Sequence, residues 1–485
     1  MKRDTYIEKL EKWCSSSRRK PLILEGARQV GKTWLMREFA STHFANVVYV
    51  RFDKNVVLKQ IFDRDFDVER ILRDLEVLFH TKIDPANTIL LFDEIQACRN
   101  ALTSLKYFCE DRPDIPIIAA GSLLGLAYRD SADVKDNSLA PDADKTTGFP
   151  VGKVNTLSIF PMTFEEFLIA IGEEGIAEAI RQCNWTMLAD LHEKTADLLR
   201  RYYVVGGMPE AVSAFVESRN FIDVRTIHRE ILMGYQRDIA KHAPKHEVQR
   251  IEMCWRSIPA QLAKENKKFT YADVKKGGRS AEFRNTLAWL EEAGLIHLAE
   301  RVAVPKLPLH SYTSGAFKVY VLDVGLLATL SGLMPEIILE GSRIFTEFKG
   351  ALTKQFVCQE LLANTDLKPY FWSTDDSRTE IDFILQCGMS VVPLEVKAEE
   401  NVRSQSLKSY ERRYIPSLVF RASMLPYIEQ IVQIDTANIC KLHNFPLYAV
   451  SSGITSRGFA LDDNRLKQGG RSLGKDYFRE PLSEK

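Results

Sequence analysis

The sequence predicts an α/β fold, and three apolar stretches in its amino-terminal quarter predict it. Leu22-Ile23-Leu24, Thr88-Ile89-Leu90-Leu91-Phe92 and Ile115-Pro116-Ile117-Ile118-Ala119-Ala120 are too continuously apolar for half-exposed strands. Polar residues come only at their carboxyl ends, so they read as central strands of a parallel sheet with helices on both faces. Residues 1 to about 165 carry the alternation of strands and amphipathic helices that such an open sheet needs.

The first strand runs straight into Gly26-Ala27-Arg28-Gln29-Val30-Gly31-Lys32-Thr33, the pattern G-x-x-x-x-G-K-T of a phosphate-cradling loop. Glycines let the backbone curl so that the N–H groups along residues 26–33 point at phosphate oxygens, and the helix that follows offers its positive end to the same charge. Lys32 then spans the β- and γ-phosphates, and Thr33 offers its hydroxyl to Mg²⁺. The implied ligand is ATP with Mg²⁺.

The second strand ends in Asp93-Glu94, roughly 60 residues beyond the loop, a spacing that fits strand, helix, strand, helix and strand. Asp93 is placed to hold the Mg²⁺ shell, and Glu94 to orient and deprotonate the attacking water. The third strand ends at Gly121-Ser122, where Ser122 reads as a γ-phosphate sensor or as a turn serine. After the helical stretch Leu191 to Tyr203, Gly206-Gly207-Met208-Pro209 breaks the helix.

At 485 residues the chain should hold two to four domains. Hydrophobic content of 45% and charged content of 27% are ordinary for a globular protein. No apolar run is long enough to span a membrane and the amino terminus has no signal core, so a cytoplasmic location is expected. Eight cysteines without a C-x-x-C pair argue for reduced thiols rather than a zinc knuckle or disulfides. Lys+Arg and Asp+Glu both total 65, so only local charge bears on nucleic acid.

Four further segments come after the core at 1–165. The polar stretch Asp130 to Gly148 reads as an exposed insertion within that core. Thr163 with Glu166 forms a capping-box pattern that opens a helical lid over 166–248. Over 249–315, three helices, the second near Thr270 to Lys275 and the third near Ala281 to Ala293, precede the extended Leu295 to Val302. That order is a winged-helix domain. Between Lys264 and Arg284, seven basic residues stand against three acidic ones, a face that could meet DNA or an unidentified protein. Trp289, Leu287 and Leu290 read as core.

Over 316–448, Glu380-Ile381-Asp382 and Glu395-Val396-Lys397 lie on adjacent apolar strands. Asp382 and Glu395 can converge on a divalent ion with Lys397 beside a metal-bound water, the content of the PD-(D/E)xK nuclease motif. Residues 449–485, polar from Gly453 on, read as a loose tail. Arg237 is a candidate γ-phosphate sensor or the ion-pair partner of Asp238.

These residues together make the chain resemble the prokaryotic P-loop ATPases of the AAA+ superfamily that end in a DUF4143 domain, the AAA_14/DUF4143 family, related to STAND-type signalling ATPases. The supports are GARQVGKT (26–33), LLFDEIQ (90–96), AAGSLLG (119–125), FPVGKV (149–154), FPMTFEEFL (160–168), GGMPEAV (206–212), YQRDI (235–239), TEIDF (379–383) and PLEVKA (393–398). The resemblance implies that Gly207 and Pro209 sense the nucleotide and that the carboxyl domain is restriction-endonuclease-like. Relatives tend to carry a glutamate where this chain has Lys354, which weakens the nuclease reading, while Glu360 is retained in the same helix. The expected function is an ATP-binding and ATP-hydrolysing switch that drives the winged-helix and nuclease-like parts. The alternatives are a DNA-binding or protein-interaction module with a structural nucleotide, and a metal-dependent nuclease.

Overall fold

The computed structural model describes residues 2–122, 150–264, 268–340, 346–398 and 405–458. The insertion expected at Asp130 to Gly148 lies outside them. Five parallel strands form the amino-terminal sheet: β1 (Leu22–Glu25), β2 (Asn46–Arg51), β3 (Thr88–Asp93), β4 (Ile117–Ala120) and β5 (Asn155–Ser158), in the order β2-β3-β4-β1-β5. The side-chain alternation of strands divides the core in two. Leu22, Leu24, Ile89, Leu91, Ile118 and Ala120 face one layer, whereas Ile23, Leu90, Phe92, Ile117 and Ala119 face the other. Burial on both faces explains why these strands read as unbroken apolar runs.

Six helices then run from Phe164 to His242, starting with Phe164–Ala170. Its capping box is formed: the Thr163 hydroxyl accepts from the Glu166 N–H, and the Glu166 carboxylate accepts from the Thr163 N–H. Helices Val248–Ala263, Tyr271–Val274 and Ser280–Glu292 lead into β6 (Ile296–Val302) and β7 (Thr313–Val321). Leu287, Trp289 and Leu290 are buried.

β6 and β7 belong to the carboxyl-terminal sheet. β6 pairs in parallel with β8 (Tyr370–Ser373), Glu300 opposite Tyr370, and so joins β9 (Glu380–Cys387), β10 (Ser390–Val396), β11 (Leu418–Ser423), β12 (Ile428–Gln433) and β13 (Ile439–Pro446) in one sheet. The strand order is β12-β13-β11-β10-β9-β8-β6-β7. The division expected at 315/316 therefore falls inside β7. The pairing satisfies a β6 edge that a separate small hairpin would leave open.

Helix Thr346–Asn364 packs against this sheet. The expected tail also begins later than 449, because Val450–Gly458 is a helix. Gly453 there lies against Phe445, with no room for a methyl group, and Ser452 donates to Glu165 across 2.9 Å. Among the described residues no helix is long and apolar enough to cross a membrane.

Candidate functional site

The carboxyl ends of β1, β3 and β4 meet the loop 26–33, as an open α/β sheet requires of a ligand site. The loop's backbone needs its glycines. Gly26 has φ of +134° and a side chain there would strike the Ile159 carbonyl at 2.3 Å; Gly31, at φ of +93°, caps helix Lys32–His43. Ala27 and Val30 are buried in the core below the loop, and Gln29 adopts a left-handed φ of +66°.

Lys32 Nζ donates to the carbonyls of Gly26 and Ala27 at 2.8 and 2.7 Å, so the ammonium lies inside the loop that the phosphates would occupy. Burial pulls its pKa down to about 8, against the opposing pull of Glu94 and Asp93. Thr33 Oγ1 lies 3.2 and 3.1 Å from the two Asp93 oxygens. This is a pair of hard oxygen donors of the type Mg²⁺ takes. Tyr49, which no sequence motif marks, donates to Asp93 Oδ2 at 2.6 Å. Burial, then the bond to Asp93, raises the Tyr49 pKa, so this hydroxyl keeps its proton.

Glu94 sits in the left-handed region at φ of +52°, a strained backbone for a residue with a side chain. That turn aims its carboxylate at the Gln96 amide and at Ser122 Oγ, 3.5 Å away. Gln96 Nε2 also reaches Ser122 at 3.4 Å, while Gln96 Oε1 is buried and accepts no hydrogen bond among the described residues. A carboxylate, a hydroxyl and a side-chain amide thus meet at the carboxyl ends of β3 and β4.

The helical region touches the loop at three places. Arg28 pairs with Asp238, and the Tyr235 hydroxyl donates to the Arg28 carbonyl at 2.9 Å. Asp238 is therefore taken by Arg28 and not by Arg237, which is exposed. The Pro209 ring lies 3.5 Å from where a Gly31 Cβ would be. Arg3, 2% exposed, donates to the Val30 carbonyl at 2.9 Å and forms two hydrogen bonds to Glu166 at 3.1 and 3.0 Å. Gly207 is locked from two sides: its carbonyl accepts from Met162 N, and its N–H donates to Asp323 Oδ2 at 2.6 Å.

At the second candidate site, Asp382 and Glu395 are buried on neighbouring β9 and β10. Asp382 forms an ion pair with Lys354 and accepts from Val396 N at 3.0 Å; Glu395 pairs with Lys397 at 2.8 Å. Burial would lower the Lys354 pKa, yet the charge and hydrogen bond of Asp382, with the charges of Glu380 and Glu395, together raise it. Burial, then the Asp382 charge, pushes the Glu395 pKa up. Each acid is thus matched by a lysine. Among the described residues no three His, Cys, Asp or Glu side chains are grouped to hold a metal ion. Glu360 is not part of this cluster: its Oε1 accepts from Phe164 N at 2.9 Å, on the side facing the amino-terminal half.

Residues 18–168 match the family model of the AAA domain, residues 196–337 that of DUF8612 and residues 349–442 that of DUF4143, the last two being domains of unknown function. The DUF8612 span crosses the divisions read from the sequence at 248/249 and 315/316. The uncharacterized protein MJ1637 of Methanocaldococcus jannaschii is 23% identical over 434 residues, covering 84% of this chain and 82% of its own length. Among solved structures, Orc1 of Aeropyrum pernix in complex with DNA is 14% identical, over 68% of this chain and 90% of that one, with a TM-score of 0.25. The RuvB Holliday junction branch migration motor of Thermotoga maritima is also 14% identical, over 66% and 92%, with a TM-score of 0.29. Scores this low carry over neither activity nor partner. The glycine-lysine-threonine loop thus lies within the span that matches the AAA domain, and the DUF4143 match follows downstream of it, the pairing of domains that the sequence motifs lead one to expect.

Proposed function

We propose that this protein is an ATP-hydrolysing switch whose nucleotide state sets the arrangement of the parts beyond residue 166. The observation that carries the reading is the convergence of Lys32, Thr33, Asp93, Glu94 and Ser122 on one loop and three strand ends. Lys32 leaves the Gly26 and Ala27 carbonyls to meet the β- and γ-phosphates, and Thr33 with Asp93 would hold Mg²⁺. The ion would offset the charge of the transferred phosphoryl group. Glu94 orients and deprotonates the water, while Ser122 and the Gln96 amide fix the carboxylate. Gly207 and Pro209 sense the bound state beside Gly31. In calorimetry Lys32→Ala should lose nucleotide binding, and Glu94→Gln should bind ATP yet turn it over about 10²–10⁴-fold more slowly, the usual worth of a general base. Equal turnover by the Glu94 variant and the unaltered protein rejects the mechanism.

A second reading adds DNA as a partner, and one observation favours it. Lys276, Arg279 and Arg284 are exposed and form no ion pair among the described residues, whereas Lys264 and Lys275 are taken by Asp273 and Glu282. Phosphate contacts of this type weaken steeply with salt. A gel shift at about 50 mM salt, with and without ATP, that shows no complex removes this reading. The nuclease reading rests on Asp382, Glu395 and Lys397 alone, and the Lys354 ammonium on Asp382 counts against it.

A further inference from the structure

Asp323 lies at the end of β7, fully buried, with no role in the nucleotide chemistry. Its carboxylate accepts from Gly207 N at 2.6 Å and from Leu326 N at 2.9 Å, the latter capping helix Val324–Leu330. Gln359, on helix Thr346–Asn364, donates to Asp323 at 3.4 Å and to the Tyr202 hydroxyl at 2.8 Å, and accepts from Val324 N at 2.9 Å. The same helix carries Lys354, which holds Asp382.

No slack exists at this junction. A methyl group on Gly206 would sit 2.2 Å from Asp323 Oδ1, one on Gly207 2.0 Å from the Met162 carbonyl, and one on Gly325 2.7 Å from Gly206 N. Tight contacts of this kind shift as discrete units and do not deform gradually. From the other side, Gly31 meets the Pro209 ring, and Arg3 ties Val30 to Glu166, whose capping partner Thr163 adjoins Met162. Two short routes from the phosphate loop therefore end at Gly207.

We propose that Asp323 is a positioning residue that passes the nucleotide state of the loop 26–33, through its bond from Gly207 and its contact with Gln359, to helix Thr346–Asn364 and the strands bearing Asp382 and Glu395. This inference rests on the switch reading above. Burial raises the Asp323 pKa to about 6, against the opposing bonds from the Gly207, Leu326 and Gly325 N–H groups, which fits a carboxylate kept for its contacts.

Hydrogen–deuterium exchange on the full chain, with and without Mg²⁺ and a non-hydrolysable ATP analogue, tests it. In the unaltered protein the analogue should slow exchange both at 26–33 and at 346–364. In Asp323→Asn, whose amide cannot accept from Gly207 while also capping, protection at 26–33 should persist and the change at 346–364 should fall at least about threefold, beyond the differences ordinary for independent sites. An undiminished response at 346–364 overturns the proposal, as does a protein in which only 26–33 responds. No response at 26–33 in the unaltered protein rejects the switch reading itself, and the inference with it. If Asp323→Asn fails to fold, Gln359→Met supplies the same readout: loss at 346–364 supports the route and retention overturns it.

Discussion

The Tyr49 hydroxyl donates to Asp93 Oδ2 across 2.6 Å, while Thr33 Oγ1 approaches both oxygens of the same carboxylate. Tyr49 stands on β2 opposite Leu91 of β3, and its ring lies under the Arg37 guanidinium. The bond fixes how the Asp93 carboxylate is turned, and so how it would present its oxygens to the proposed Mg²⁺. Partners that orient a metal-binding group typically contribute 10- to 100-fold in affinity or activity. Tyr49→Phe should therefore raise the Mg²⁺ concentration needed for half-maximal ATPase turnover by about 10-fold. An unchanged Mg²⁺ dependence would show that Asp93 is held by other contacts.

Arg3 and Glu166 form a buried ion pair 163 residues apart in sequence. Removing one member of such a pair leaves a charge without its counterpart and costs about 3–5 kcal/mol. Arg3→Met should lower the urea midpoint accordingly and weaken nucleotide binding, since Val30 loses its donor. Arg3→Met combined with Glu166→Gln should recover part of the stability. A double variant no more stable than Arg3→Met contradicts the pairing.

Glu360 governs a pH effect. Burial lifts its pKa from an ordinary 4.5 to about 8, opposed by the Phe164 N–H and Asn364 and assisted by the nearby Glu165 and Glu166 charges. Between these two values the folded chain holds this proton more firmly than the unfolded chain, so stability falls as pH rises through that window. Glu360→Gln retains an acceptor for Phe164 N and should remove this share of the slope, a difference on the order of a few kcal/mol by the upper end. Parallel melting curves against pH for the two proteins would refute the assignment.

Lys354 offers a chemical test at the carboxyl-terminal sheet. Its ammonium neutralises Asp382, close to Glu395. Lys354→Glu would place three carboxylates together, a set that suits a divalent cation. The variant should be stabilised by millimolar Mn²⁺ in thermal unfolding to a greater extent than the unaltered protein, through mass action on the folded state. Equal shifts for both would mean that the three acids do not converge.

The candidate nucleotide site is legible in the sequence because the residues that mark it are local. Eight consecutive residues define the loop, and Asp93 and Glu94 are marked by ending an apolar strand. Tyr49, Arg3 and Asp323 leave no comparable trace, because β-strand register and long-range packing bring them in, and nothing adjacent in the chain announces either. Adjacency alone pairs Asp238 with Arg237, though helix geometry turns the acid toward the loop and leaves the arginine outside. A shared helix likewise groups Glu360 with Lys354. Six residues of helix place them about 120° apart, so they face different neighbours.

The parallel pairing of β6 with β8 has a mechanical corollary. Eight strands stitched edge to edge behave as a single plank, with no seam at 315/316 along which one half could swing against the other. On the switch reading, a motion driven by the nucleotide would carry this plank as a whole, with the tightly packed glycine pair at 206–207 as the place where it would pivot.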